Sequence, residues 1–393
     1  MKRRLVAAVA TFLLLGFLTG CWDNKELDEY GYVQAVAIDS AEAGRISLTT
    51  HFYNPASKTE MTGEAGPGTK GINIRTSGET VFDAVRDIPL YFGRKAKWDH
   101  IRVILMGEQL ARSQNIGEVF DYMSRDHEPR GTVLPLITEG NAAKYLEIKP
   151  FIEQTIGQQY KKMETQSARY SAKSSNIPLY ELAIQLKGVT EVSVLPHISK
   201  SGNIAVVSGV ALLKKGKLSY TLGARDTESY MMLSNQYKEG ILEFPCTGNA
   251  LAEGQVQRKE SFEVFTLQSR TTPHVKDDTV LVDVGIRIRG VVGELRCSSI
   301  NTIPDMKRFE EKIEAQIERQ IRHTISILQQ QRLDAIGIGT KIYRKDPTLW
   351  KRWKPTWDER FAKIRFDVTV DVQALNSGLN VGTPFGKEEN ERP

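Results

Sequence analysis

Cysteine is scarce here, at three residues in 393. A chain this long with so few is not a disulfide-dense secreted scaffold, and no C-x-x-C pair offers a zinc ribbon or redox motif. Histidine is sparse too. His51, His100, His127, His197, His274 and His323 are scattered, with no i, i+4 pair and no H-E-x-x-H, so the pattern of a helical metal site is missing. No G-x-S-x-G, S-x-x-K or Walker motif occurs, and Gly337-Ile338-Gly339 is too short to count as a phosphate loop. Strong charge of one sign is lacking as well: 53 Lys+Arg face 48 Asp+Glu, for a formal +5. Lys2, Arg3 and Arg4 supply three of those charges, and the remaining +2 or so argues against nucleic acid as a partner. After residue 20, charge breaks every apolar run within about ten residues, well short of the ~20 a spanning helix needs.

What is present starts at the N-terminus. Lys2, Arg3 and Arg4 precede an apolar run from Leu5 to Leu18, and Leu18-Thr19-Gly20-Cys21 follows. This is the layout of an export signal ending in a bacterial lipobox. An ordinary secretory signal and an uncleaved anchor are the alternatives, and both leave Cys21 unexplained. Cleavage after Gly20 would leave Cys21 as the new N-terminus, carrying diacylglycerol with or without an N-acyl chain. Two acyl chains give a stable anchor where one is marginal. The expected location is the outer face of the cytoplasmic membrane. Beyond this lipid, no cofactor or metal is expected. Cys246 and Cys297 remain; the exported compartment allows a bridge between them, with two free buried thiols the favoured reading.

The expected fold is mixed α/β and α+β in several lobes. A signal (1–20) and a polar spacer (21–31) lead into an α/β region over 32–195, where strands at 32–39, 46–53, 101–106 and 133–137 alternate with helices. One helix is expected from about Gly78, capped by Ser77, and another over 116–123. Residues 149–175 read either as a helix rich in charge and amide or as a connection. A boundary is expected between 195 and 203. The second part, 203–375, reads as an antiparallel sheet backed by a long helix. Val282, Val284, Ile286 and Ile288 alternate with polar neighbours, as in a strand with one face buried. Thr302 and Asp305 form a capping box ahead of a stripe running Phe309, Ile313, Ile317, Ile321, Ile325 and Leu328. A strand over 362–375 and a polar tail over 376–393 complete the chain.

Two clusters are candidate sites. Asp126-His127-Glu128 is the most site-like acidic group, but no nucleophile is identifiable beside it and solvated loop charges are ordinary. Trp350, Trp353 and Trp357 alternate with Lys351, Arg352 and Lys354. They read either as an aromatic and basic contact surface or as a loop packing its indoles inward with the cations outside. Without visible catalytic machinery, binding or assembly is expected rather than enzymatic activity.

Cys21-Trp22-Asp23 with Lys25-Glu26-Leu27-Asp28 resembles the start of spore-germination lipoproteins of the Ger(x)C type, the C subunits of nutrient germinant receptors. The resemblance continues through His100-Ile101-Arg102-Val103-Ile104-Leu105-Met106-Gly107-Glu108 and through the block from Asp121 to Gly140. It recurs in Ser208-Gly209-Val210-Ala211-Leu212-Leu213, Asp334-Ala335-Ile336-Gly337, the segment Trp350 to Phe361, and Val368-Thr369-Val370-Asp371-Val372. It implies a non-enzymatic lipoprotein of the inner spore membrane, assembling with two integral-membrane partners, an A and a B subunit, and needed for nutrient-triggered germination. A solute-binding lipoprotein serving a transporter and a cell-wall enzyme are the competing readings.

Overall fold

The computed structural model describes residues 3–5, 26–54, 71–246 and 258–376. Most of the proposed signal, Cys21, the tail beyond 376 and most of the expected loop between Asn54 and Gly71 lie outside the described residues.

The first half opens with three strands, β1 (Tyr30–Ser40), β2 (Ile46–Tyr53) and β3 (Gly71–Gly78). Two short helices follow, α1 (Val81–Arg86) and α2 (Ile88–Phe92), then β4 (Lys95–Lys97) and β5 (Val103–Gly107). Next come α3 (Glu108–Ser113), α4 (Ile116–Arg125), β6 (Leu134–Thr138), α5 (Ile156–Tyr170) and α6 (Leu179–Leu186). Three further strands, β7 (Val192–Ser201), β8 (Ile204–Lys214) and β9 (Lys217–Leu222), complete a sheet of order β3-β2-β1-β5-β6-β7-β8-β9, with β4 beside β1. The four central strands are mutually parallel and the outer pairs antiparallel.

Parallel strands joined by crossover helices have both faces covered, so they read as unbroken apolar runs. All five residues of β5 and all five of β6 are buried. Their side chains divide between two cores. Ile104 and Met106 join α1, α4 and α6 on one face, whereas Val103 and Leu105 join Tyr145, Ile156 and Tyr160 on the other.

One local expectation changes and one open reading is settled. Ser77 is the penultimate residue of β3, and the helix cap is Thr80, whose hydroxyl accepts from the Asp83 amide at 3.1 Å. Residues 156–170 are helical, closed by a reciprocal Thr155–Gln158 capping box. The boundary placed between 195 and 203 falls inside the large sheet, at the turn between β7 and β8. The 204–222 hairpin belongs to the first sheet, because β8 pairs with β7 over nearly its whole length.

The second half contains α7 (Ala224–Leu233), β10 (Gly240–Pro245), β11 (Lys259–Lys276), β12 (Thr279–Glu294), α8 (Ile303–Gln330), α9 (Ile338–Lys345), α10 (Pro347–Trp353), α11 (Trp357–Phe361) and β13 (Arg365–Ala374). Its sheet runs β10-β11-β12-β13. The last pair is parallel, so the sheet is mixed rather than wholly antiparallel. The crossover through α8 and the three short helices carries the chain back to the starting end, which parallel pairing requires. Helix α8 has the expected Thr302–Asp305 box and buries its stripe from Phe309 to Leu328. It also guards the open edge of β13: Glu310 accepts from the Ala374 amide at 2.8 Å, and Glu314 from the Val372 amide at 3.0 Å. Val192, Val194, Val210, Leu212 and Leu222 of the first sheet belong to the same core as this second sheet and α8. The two halves therefore share one interior.

Cys246 and Cys297 form a disulfide with their Cα atoms 6.0 Å apart. Buried Glu260 holds the Cys297 turn beside it. One carboxylate oxygen accepts from the amides of Arg296, Cys297 and Ser298, and the other from the Ser298 hydroxyl at 2.8 Å.

Candidate functional site

Helices α1 and α4 flank a groove of about 930 Å³ on the first half. The cap at Asn115, whose side chain accepts from the Gly117 amide at 2.9 Å, starts α4. Ile116, Val119, Phe120 and Met123 turn into the core, which leaves Glu118, Asp121, Tyr122 and Arg125 along the groove. The wall is aromatic. Phe82 packs on Tyr122 with ring centroids 5.1 Å apart, Trp98 meets Tyr122 edge-on at 6.4 Å, and the Arg86 guanidinium lies 4.7 Å above the Phe82 ring. The rim carries both signs, including Lys95, Arg125 and Asp121, the last two paired at 2.7 Å.

The Asp126-His127-Glu128 cluster sits at one end of this groove. Its carboxylates hold the loop. Asp126 accepts from the Tyr122 hydroxyl at 2.8 Å and from the Glu128 amide at 2.9 Å. Glu128 accepts from the Trp98 amide at 2.9 Å and pairs with Lys97 at 3.3 Å. Burial, and then the bond to Asp126, push the Tyr122 phenol well above its ordinary range, so it stays a donor. The His127 side chain is 93% exposed and only 3.7 Å from Asp126. The arrangement offers apolar contact on the wall and fixed charges on the rim, with the acids themselves engaged in the loop.

The three tryptophans are not a contact surface. Trp350, Trp353 and Trp357 are 3%, 4% and 2% exposed and belong to the shared core. Trp350 and Trp357 meet edge-on at 5.0 Å. The cause lies in Asp334, which is fully desolvated yet accepts from the Ile338 amide at 2.8 Å, the Gly339 amide at 2.6 Å and the Trp357 indole at 3.1 Å. Gly337 has φ +74°, and a Cβ on Gly339 would lie 2.6 Å from the Trp350 ring. The Asp-Ala-Ile-Gly run is thus the seat on which the indoles pack, with the cations of this segment outside. Lys214 joins it to the first half, pairing with Asp358 at 2.6 Å and donating to the Thr190 carbonyl at 3.0 Å.

A second buried carboxylate was not legible from its surroundings in sequence. Asp39, at the end of β1, accepts from the amides of Ala142 and Ala143 at 2.7 and 2.9 Å. A Cβ on Gly107 would lie 2.2 Å from Asp39 Oδ1. The ends of two motifs meet there, Gly107-Glu108 of one and Gly140 of the other, with Glu108 accepting from the Gly140 amide at 3.2 Å. The bare glycine that ends β5 is the only sequence signal of this contact.

Residues 23–200 match the model described as the spore germination protein N-terminal domain, and residues 208–378 match the spore germination B3/GerAC-like C-terminal domain. The chain belongs to the GerAC family of spore germination proteins. Spore germination protein B3 of Bacillus subtilis (strain 168) is 24% identical over 390 residues, covering 96% of this chain and 99% of that protein. Spore germination protein KC of the same organism is 21% identical, covering 96% and 97%. The crystal structure of the GerBC protein superposes with a TM-score of 0.58 at 20% identity, covering 90% of this chain and all of the other. This likeness extends the GerAC fold across both sheets. Among the described residues, no helix is long and apolar enough to cross a membrane. Cys21 lies outside them, and of the GerAC motifs only the opening one is left without a structural account.

Proposed function

We propose that this chain is the lipid-anchored C subunit of a nutrient germinant receptor, held on the outer face of the inner spore membrane by Cys21. It assembles there with two integral-membrane subunits. The observation that carries this reading is coverage: the two family models span residues 23–200 and 208–378, and the germination relatives cover 96% of the chain. The export pattern ending at Cys21 supports anchoring, since a diacylated cysteine holds a chain that has no span of its own. Anchoring raises the local concentration of the folded part at the membrane and so favours assembly without a large interface. The motif residues Gly107 and Asp334, with their neighbours Asp39 and Gly339, stabilise the scaffold. Partner contact is therefore assigned to surface, not to these motifs.

The test is deletion of the gene, with germination scored against a panel of amino acids and sugars. The expected outcome is loss of the response to one nutrient or nutrient set and a normal response to the others. Unchanged germination on every nutrient that a related receptor does not also serve would contradict the reading. A Cys21→Ala chain is expected to fold, to leave the membrane fraction, and to lose much of the response.

A further inference from the structure

Helix α2 is built to leave its tip bare. Ile88 is fully buried, and Phe92, one turn later, stacks on Phe52 with ring centroids 4.4 Å apart. That i, i+4 pair fixes the inner face. Leu90 and Tyr91 then point away, 80% and 69% exposed, with Pro89 exposed beside them. Gly93, at φ +66°, ends the helix, and exposed Arg94 and Lys95 follow at once. Arg86 is exposed one turn before.

This tip sits where the chain enters the fold. Tyr30 pairs in register with Lys95, Gly31 with Ala96, and the Arg94 guanidinium donates to the Tyr30 carbonyl at 3.5 Å. Phe92 also packs so closely on β1 that a Cβ on Gly31 would lie 2.2 Å from its ring. Cys21 is nine residues before Tyr30 in the sequence. Nine residues reach at most about 30 Å, so a lipid on Cys21 keeps this tip close to the bilayer. The intervening residues carry four acids, Asp23, Glu26, Asp28 and Glu29, against one cation, Lys25, so the cations the tip itself offers an anionic surface are those at 86, 94 and 95.

We propose that Leu90 and Tyr91 insert into the interfacial layer of an anionic phospholipid bilayer, with Arg86, Arg94 and Lys95 on its headgroups. An aliphatic side chain beside a tyrosine, flanked by cations, is the side-chain set that partitions to that layer. The proposal rests on the anchoring read from Cys21. Two contacts, one covalent and one through α2, orient the folded part where one alone lets it rotate.

The experiment uses the full-length lipidated chain on vesicles of phosphatidylcholine with 30% phosphatidylglycerol. An environment-sensitive fluorophore is attached at a Leu90→Cys substitution and, separately, at Ile303→Cys, which is 88% exposed at the start of α8. Nitroxide-labelled lipids are expected to quench the probe at 90 at least twofold more than the probe at 303. The difference is expected to shrink when phosphatidylglycerol is omitted. Equal quenching at the two sites on chains that stay bound would overturn the α2 contact and leave the anchor intact. Chains that leave the vesicles would overturn both. Photo-crosslinking from position 91 in whole spore membranes that captures a protein in place of lipid would assign this face to a partner subunit and overturn the proposal.

Discussion

The indole nitrogen of Trp357 donates to a carboxylate oxygen of Asp334 at 3.1 Å, deep in the core that joins the two halves of the molecule. The same carboxylate caps the start of α9 through the Ile338 and Gly339 amides. An acid in this position is tolerated because three donors face it. Asp334→Ala removes the acceptor and strands those donors, so it is expected to lower stability by roughly 3 kcal/mol or more, readable by urea denaturation. Trp357→Phe keeps the ring and loses one donor, and about 1 kcal/mol is expected. Equal losses from the two substitutions would show that ring packing, not the carboxylate, organises the segment.

The edge of β13 offers a second test. Glu310 and Glu314 lie one turn apart on α8 and each accepts from an amide of that strand. The pair Glu310→Ala and Glu314→Ala leaves both amides open on a strand edge. A loss of about 2 kcal/mol is expected, with concentration-dependent association measured by sedimentation. A stable, strictly monomeric double variant would mean that water satisfies those amides equally well.

Glu228 supplies a pH dependence. Burial pushes its carboxyl up to about 7, with Glu243 adding to the rise, while Lys173, Arg225 and the Tyr237 hydroxyl pull it down. The folded state therefore holds this proton more tightly than the unfolded chain, whose glutamates titrate near 4.3. Stability from this group is complete below pH ~4 and falls as pH rises to about 7, by on the order of 3 kcal/mol. Glu228→Gln is expected to remove that decline, so the variant is more stable than the parent at pH 8 and similar at pH 4. Parallel stability–pH curves for the two proteins would contradict the assignment.

The disulfide closes a separation of 51 residues. Chain entropy alone puts its contribution near 4 kcal/mol as an upper figure. Reduction, or Cys246→Ala with Cys297→Ala, is expected to lower the melting temperature while Glu260 still holds the 296–298 turn. Retained hydrogen-exchange protection of the Ser298 amide would confirm that division. Its complete loss would show that the turn depends on the bridge.

Periodic segments were legible in the sequence. The alternation from Val282 to Ile288 and the stripe from Phe309 to Leu328 each repeat over enough residues to declare a period, and both faces are buried as that period implies. Strand β3 was missed because it is an edge strand with four of its eight residues exposed, so no apolar alternation marks it. The direction of β13 was not readable, since pairing depends on where a crossover returns the chain. The tryptophans left two readings open because five- to eight-residue helices carry no periodic signal, and the lysines and arginine between the indoles look the same whichever way the rings point. The groove beside Asp126 was visible only as its acids. Its aromatic wall is assembled from Phe82, Trp98 and Tyr122, three separate stretches that only the tertiary fold brings together.

The proposed role makes a folded, lipid-bearing chain one part of a membrane receptor. Affinity purification of the tagged chain from detergent-solubilised inner spore membranes, with mass spectrometry of the N-terminal peptide and of the co-purifying proteins, tests it most directly. The expected result is a diacylated Cys21 and two polytopic membrane proteins recovered with the chain. Recovery of the intact lipidated chain with neither of them would contradict it.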